Sequence, residues 1–156
     1  MKKYILLIAL AVSVLTAKAQ FNVDRLITSG KVALHYEDYV LSIQYFNQVI
    51  ALKPFLYEPW QYRAVAKFYL DDFVGAETDA SEAIALNPYI DILYDLRAIS
   101  RIRQEDYAGA IADYNKAIAI SPDTRNYWFN RAICMLNSKN YDDALAQTDS
   151  IIRKWQ

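Results

Sequence analysis

The apolar positions of this chain recur in register. From Val23 onward, segments with apolar residues three and four apart alternate with short polar breaks. One set of segments ends near Tyr36, Leu70, Gln104 and Ser138, and a second set starts at Tyr39, Phe73, Tyr107 and Tyr141. That spacing is the period of amphipathic helices, and breaks such as Asp71-Asp72 and Glu105-Asp106 are short enough to join them antiparallel. Further columns keep the same constant interval: Leu26, Trp60, Tyr94, Trp128; Gly30, Ala64, Ala98, Ala132; Ser42, Ala76, Ala110, Ala144; and Pro54, Pro88, Pro122. A fixed period of this length predicts an all-α solenoid of four helix-turn-helix repeats, over 23–56, 57–90, 91–124 and 125–156.

The columns have a packing logic. Two antiparallel helices approach closely where both present small residues, as Ala64 with Ala76 and Ala98 with Ala110 would, and large residues fill the space beside that contact. Each proline removes a backbone donor and turns the residue before it away from helix, so the second helix of a unit must stop there. One such pair cannot bury its own apolar faces, but stacked pairs can.

These columns resemble the tetratricopeptide repeat family. The likeness is carried by Trp60, Ala64, Phe73, Ala76, Ala83 and Pro88 in the second unit, and by Tyr94, Ala98, Tyr107, Ala110, Tyr114, Ala117 and Pro122 in the third. The first unit is degenerate, with Ser42 and Val49 where Ala is usual; the fourth has Gln156 in place of the closing proline and Thr148 in place of the aromatic. The resemblance implies a right-handed superhelix whose first helices line a concave groove that holds a peptide or partner protein.

Spacing assigns the faces. Ile27, Lys31, His35 in unit one, Gln61, Val65, Tyr69 in unit two, Asp95, Ile99, Arg103 in unit three, and Phe129, Ile133 in unit four stand four apart on one side of each first helix. They are the expected groove, its apolar positions suiting an extended or helical peptide with apolar anchors. The alternative is that neighbouring first helices bury this stripe among themselves. Adaptors of the family that serve heat-shock chaperones grip a carboxylate with Lys, Asn and Arg. Here Ile27, Lys31, Tyr62, Ile92 and Leu96 occupy the matching places, so that specificity is not expected. Arg63, Arg97 and Arg131 form a polar column beside the small residues, where an unpaired charge would be costly. Asp79 and Asp113 recur on the second helices and are the expected partners, either within a unit or from one unit to the next.

Composition narrows the chemistry. His35 is the only histidine, near the end of a first helix with Glu37 and Asp38 in the turn after it, and no serine elbow or Gly-rich loop accompanies it, so no catalytic residue is expected. Cys134, the only cysteine, aligns with Val32, Ala66 and Ser100 and reads as core. No metal site or cofactor is expected. Asp72 and Asp106 fall at helix starts, where carboxylates cap free amides. An enzyme or glycan-binding reading rests on the 13 tyrosines alone, of which Tyr39, Tyr94, Tyr107, Tyr114 and Tyr141 are explained as repeat positions.

The segment from Met1 to Ala19 has another character: Lys2 and Lys3, an apolar run from Tyr4, then Ala17-Lys18-Ala19. That order is a signal peptide cleaved after Ala19, and its apolar core is shorter than the roughly 20 residues a membrane span needs. Cleavage removes Lys2, Lys3 and Lys18 and no acid, which takes 17 basic residues to 14 against 18 acidic, a net charge of −4. Nucleic acid is not an expected partner of so acidic a surface, nor is stable membrane insertion. The expected protein is an exported, periplasmic or secreted, non-catalytic scaffold that binds a protein or peptide. The alternative is a self-associating module, or part of a longer array, that oligomerises through the last helix with Ile151, Ile152 and Trp155.

Overall fold

The computed structural model describes residues 22–155, so the signal peptide expected at 1–19 lies outside the described residues. Among them are eight helices and no strand: α1 (22–35), α2 (Tyr39–Leu52), α3 (Tyr57–Tyr69), α4 (Phe73–Leu86), α5 (Asp91–Arg103), α6 (Tyr107–Ile120), α7 (Arg125–Asn137) and α8 (Tyr141–Trp155). Helices that follow one another in the chain pack together, and α3 also meets α5. This nearest-neighbour pattern is that of a solenoid, in which stability is a sum over units and the interfaces between them.

Four identical turns set the hairpin geometry. Glu37, Asp71, Glu105 and Lys139 all hold φ between 61° and 63°, the left-handed region. The residue after each donates its N–H back across the turn, as Asp72 does to the Lys67 carbonyl (3.0 Å) and Asp106 to that of Arg101 (2.9 Å). Such a turn closes one helix, and the same residue then opens the next. Asp38, Asp72 and Asp106 accept from the N–H groups of Leu41, Gly75 and Gly109 at 3.1, 2.9 and 2.9 Å. A left-handed position strains a side chain that glycine would not carry. Glu105→Gly is therefore expected to stabilise the protein by about 0.5–1 kcal/mol, read as a raised midpoint in urea.

The small-residue columns are the contact between paired helices: Ala64, Ala76, Ala98 and Ala110 are wholly buried. In the first unit the same approach is made by Gly30 beneath the Phe46 ring, and the Ser42 hydroxyl donates to the Gly30 carbonyl at 3.0 Å. The bulky column ties each unit to the one before. Trp60 Nε1, the Tyr94 hydroxyl and Trp128 Nε1 donate to the carbonyls of Pro54, Pro88 and Pro122 at 3.0, 3.1 and 2.9 Å. Two of the sequence columns are thus joined by one recurring hydrogen bond.

The arginine column pairs within units. Arg63 forks onto Asp79 at 2.7 Å through both Nε and Nη2, and Arg97 reaches Asp113 at 2.6 Å. A second cation joins each buried carboxylate: Lys67 at 2.9 Å from Asp79, Arg101 at 2.8 Å from Asp113. The far nitrogens of Arg63 and Arg97 donate to Asn47 and Ser81 of the preceding second helices. Each arginine therefore spans three helices.

Arg131 departs from the expected pairing with a carboxylate. Asp113 is already held by Arg97 and Arg101, and the position one repeat beyond Asp113 is Gln147, so Arg131 donates to Asn115 and Gln147. Arg131 Nε and Gln147 Nε2 are left buried without a partner. The electrostatics follow. Burial opposes the charge of Arg101, yet its bond to Glu77 and the carboxylates of Asp113, Glu77 and Asp106 hold its pKa above the ordinary value. Burial pulls that of Arg131 below it.

The last helix folds its end onto its own unit. Trp155 meets Trp128 edge-on at 5.8 Å, Lys154 lies over both rings, and Ile151 is buried. Of the three α8 residues considered for self-association, Ile152 alone stands exposed, with Leu145 beside it in sequence register. Cys134 sits in the core cluster of units three and four, and burial pushes its thiol up to about 11, the behaviour of an inert thiol.

Candidate functional site

The first helices α3 and α5 lie against each other on one side of the solenoid, and between them is a cavity of about 210 Å³. Gln61, Val65 and Tyr69 line it from α3, and Asp95 and Ile99 from α5, five of the residues placed on the groove by spacing. Phe68, Ile92 and Leu96 complete the wall. Spacing of four alone overlooks these three because a cavity between two helices is walled by the flank of each. Residues three apart from the stripe, such as Leu96 before Ile99, were the available signal.

A second, more open cavity of about 430 Å³ adjoins the first, Tyr69 lining both. Lys31, Leu34, His35, Glu37, Tyr39 and Tyr62 form the rest of it. Its aromatic walls are ordered by stacking: Tyr39 lies flat on Tyr69 at 5.0 Å, and Lys31 sits 4.6 Å above the Tyr62 ring. Other stripe residues lie outside both cavities. Ile27 is half-buried, and Phe129 and Ile133 stand exposed on α7. Arg103 lies over the Phe73 ring at 4.8 Å and within 3.7 Å of Asp71, so its charge is drawn to the turn between α3 and α4.

Asp95 is the exceptional group in this surface. Its Oδ1 is buried without a hydrogen-bond partner, and the hydroxyl of fully buried Tyr114 is near it without completing a well-aligned bond. Burial raises the Asp95 pKa first, the Tyr114 hydroxyl opposes that rise, and the Asp91 carboxylate adds to it. Asp91 itself receives the Tyr127 hydroxyl at 3.1 Å. A carboxyl whose folded pKa is raised favours folding most below its unfolded value, and that contribution is lost as pH climbs through the folded one. Asp95→Asn is accordingly expected to raise the melting temperature at pH 7 and to leave it unchanged near pH 3, in thermal scans across that range.

Among the described residues no group of three or more His, Cys, Asp or Glu side chains could hold a metal ion. Nor is any described helix long and apolar enough to cross a membrane. The surface offers apolar walls, aromatic faces and a few charges, which can grip a chain.

Residues 96–156 match the sequence model of the tetratricopeptide repeat. No curated protein matches the chain in sequence. Among solved structures, MamA is similar with a TM-score of 0.82 and 22% identity, over 88% of this chain and 75% of that one. The first TPR of Spaghetti (RPAP3), bound to the HSP90 peptide SRMEEVD, gives 0.72 and 22% over 74% of this chain and 91% of that one. The Sgt2 TPR domain from Aspergillus fumigatus gives 0.71 and 20%, over 78% and 82%. At these identities the likeness is one of fold. The described chain is an all-helical solenoid of the tetratricopeptide repeat fold, and its residues 96–156 carry the sequence pattern of that family.

Proposed function

We propose that this protein is a non-catalytic, exported scaffold that holds an extended peptide, or a segment of a partner protein, along the concave face of its first helices. The observation that carries the reading is the pair of adjoining cavities joined at Tyr69, one walled by α3 and α5, the other by Lys31 of α1, Tyr39 at the start of α2 and Tyr62 of α3. Half-buried apolar side chains such as Val65 and Ile99 pack against the core cluster of Ala64, Ala80 and Leu96 and keep part of their surface open to the cavity. A related fold, the RPAP3 domain, has been solved with a peptide bound. Here the carboxylate-gripping residues of chaperone adaptors are largely replaced, so a different peptide chemistry is favoured. Export rests on the order of residues 1–19, two lysines, an apolar run and Ala17-Lys18-Ala19.

The test is co-purification of partners with the tagged full chain, wild type against Ile99→Arg in the cavity wall and Val74→Arg on the exposed face of α4. With melting temperatures matched, partner recovery should fall about tenfold or more in the first variant, the size of effect a buried anchor carries. The second should behave as wild type. The reverse order would overturn the reading.

A further inference from the structure

Every fully buried carboxylate described above is neutralised by two cations, Asp79 by Arg63 and Lys67, Asp113 by Arg97 and Arg101. Asp95, half-buried, lacks such cations: no described Lys or Arg pairs with it, and its buried Oδ1 has the Tyr114 hydroxyl nearby without a well-aligned bond. The repeat does not require an acid there, because the same register position is Ile27, Gln61 and Phe129 in the other units. Packing offers this carboxylate the neighbouring Tyr114 hydroxyl but no cation to offset its charge. Its cost to the free protein is visible in the upward shift of its pKa, caused foremost by burial.

Location supplies the reason. Asp95 lines the cavity between α3 and α5, whose other walls are Val65, Phe68, Leu96 and Ile99. At about 210 Å³ that cavity is smaller than the roughly 300–1,000 Å³ of small-molecule sites, and suits one side chain. The side chain that fits has an alkyl stem for the apolar walls and a positive head for the carboxylate. Tyr69, at the cavity edge, adds an aromatic face that attracts a cation. A metal ion is disfavoured, since Gln61 and Asp95 are the only side chains with oxygen acceptors among the lining residues apart from that phenol.

We propose that this cavity is a specificity pocket for a lysine or arginine side chain of the bound peptide, with Asp95 as its counter-ion. The inference rests on the concave face being the binding surface, and it adds the chemistry of one position of the occupant: a basic residue among apolar neighbours. Ligand binding then supplies the missing cation of a carboxylate to which the fold offers the Tyr114 hydroxyl but no Lys or Arg.

A random dodecapeptide display library panned on the full chain tests this. Recovered peptides should be enriched in Lys or Arg next to an aliphatic residue, and the same library panned on Asp95→Asn should lose that enrichment. For one recovered peptide, replacing the basic residue by norleucine, which keeps the stem and removes the charge, should weaken binding about tenfold or more on the wild type. On Asp95→Asn the two peptides should bind alike. If the norleucine peptide binds the wild type equally well and still shifts the amide resonances of Val65 and Ile99, the charge pairing is wrong and the groove reading stands. If no recovered peptide shifts those resonances, both fall. Asp95→Asn keeps the protein folded by the argument given for its stability, so loss of preference in that variant is a binding effect.

Discussion

Asp113→Ala is expected to destabilise the protein by about 3–5 kcal/mol, because it strips the shared partner from Arg97 and Arg101 at once. Both guanidinium groups keep about a fifth of their side-chain surface in water (19% and 20%), which places the loss in the lower half of that range. Urea denaturation followed by circular dichroism measures it. Arg97→Met combined with Asp113→Leu should cost less than the two single changes added, since the pair is removed together. In unit four the corresponding change, Gln147→Ala, should cost far less, because Gln147 serves one arginine and is neutral. Equal losses at Asp113 and Gln147 would show that the ionic network contributes little.

Tyr114→Ala is the second large effect, about 3–5 kcal/mol for deleting a wholly buried ring. Tyr114 belongs to the cluster that joins units three and four, with Tyr94, Ile118, Tyr127 and Cys134, and its ring lies 6.4 Å from that of Tyr127. In a quasi-one-dimensional fold a weakened interface releases the units beyond it first. Hydrogen exchange should therefore show α7 and α8 losing protection while α3 and α4 keep theirs. Uniform loss along the chain would mean the solenoid melts as one body.

How much of this was legible in the sequence follows from what a period encodes. Columns in a fixed register specify size and polarity at equivalent positions, so the helix pairs, the Ala64–Ala76 type of approach and the pairing of the arginine column with Asp79 and Asp113 could be read from spacing, while the choice of within-unit partners for Arg63 and Arg97 came from the structure. Spacing also put Gln61, Val65, Tyr69, Asp95 and Ile99 on one face, and these do line one cavity. It could not foresee where long side chains end. Arg103 shares the stripe but lies over Phe73, and Trp155 turns inward onto Trp128, a contact between the start of α7 and the end of α8 that no single helix's period contains. Lys67 and Arg101 were a column in plain view; they escape a reading that looks for one cation per carboxylate. The left-handed residues escape for another reason, since Asp71 and Glu105 occupy a conformation that sequence rules reserve for glycine.

The most direct test of the central claim is a photo-crosslinking residue placed in the full chain, in its own cell, at Val65 in the cavity or at Leu145 on the exposed face of α8. The groove account predicts a discrete adduct from Val65, lost in Ile99→Arg, and none from Leu145. Adducts from Leu145 alone, whether to another protein or to a second copy of the chain, would contradict it.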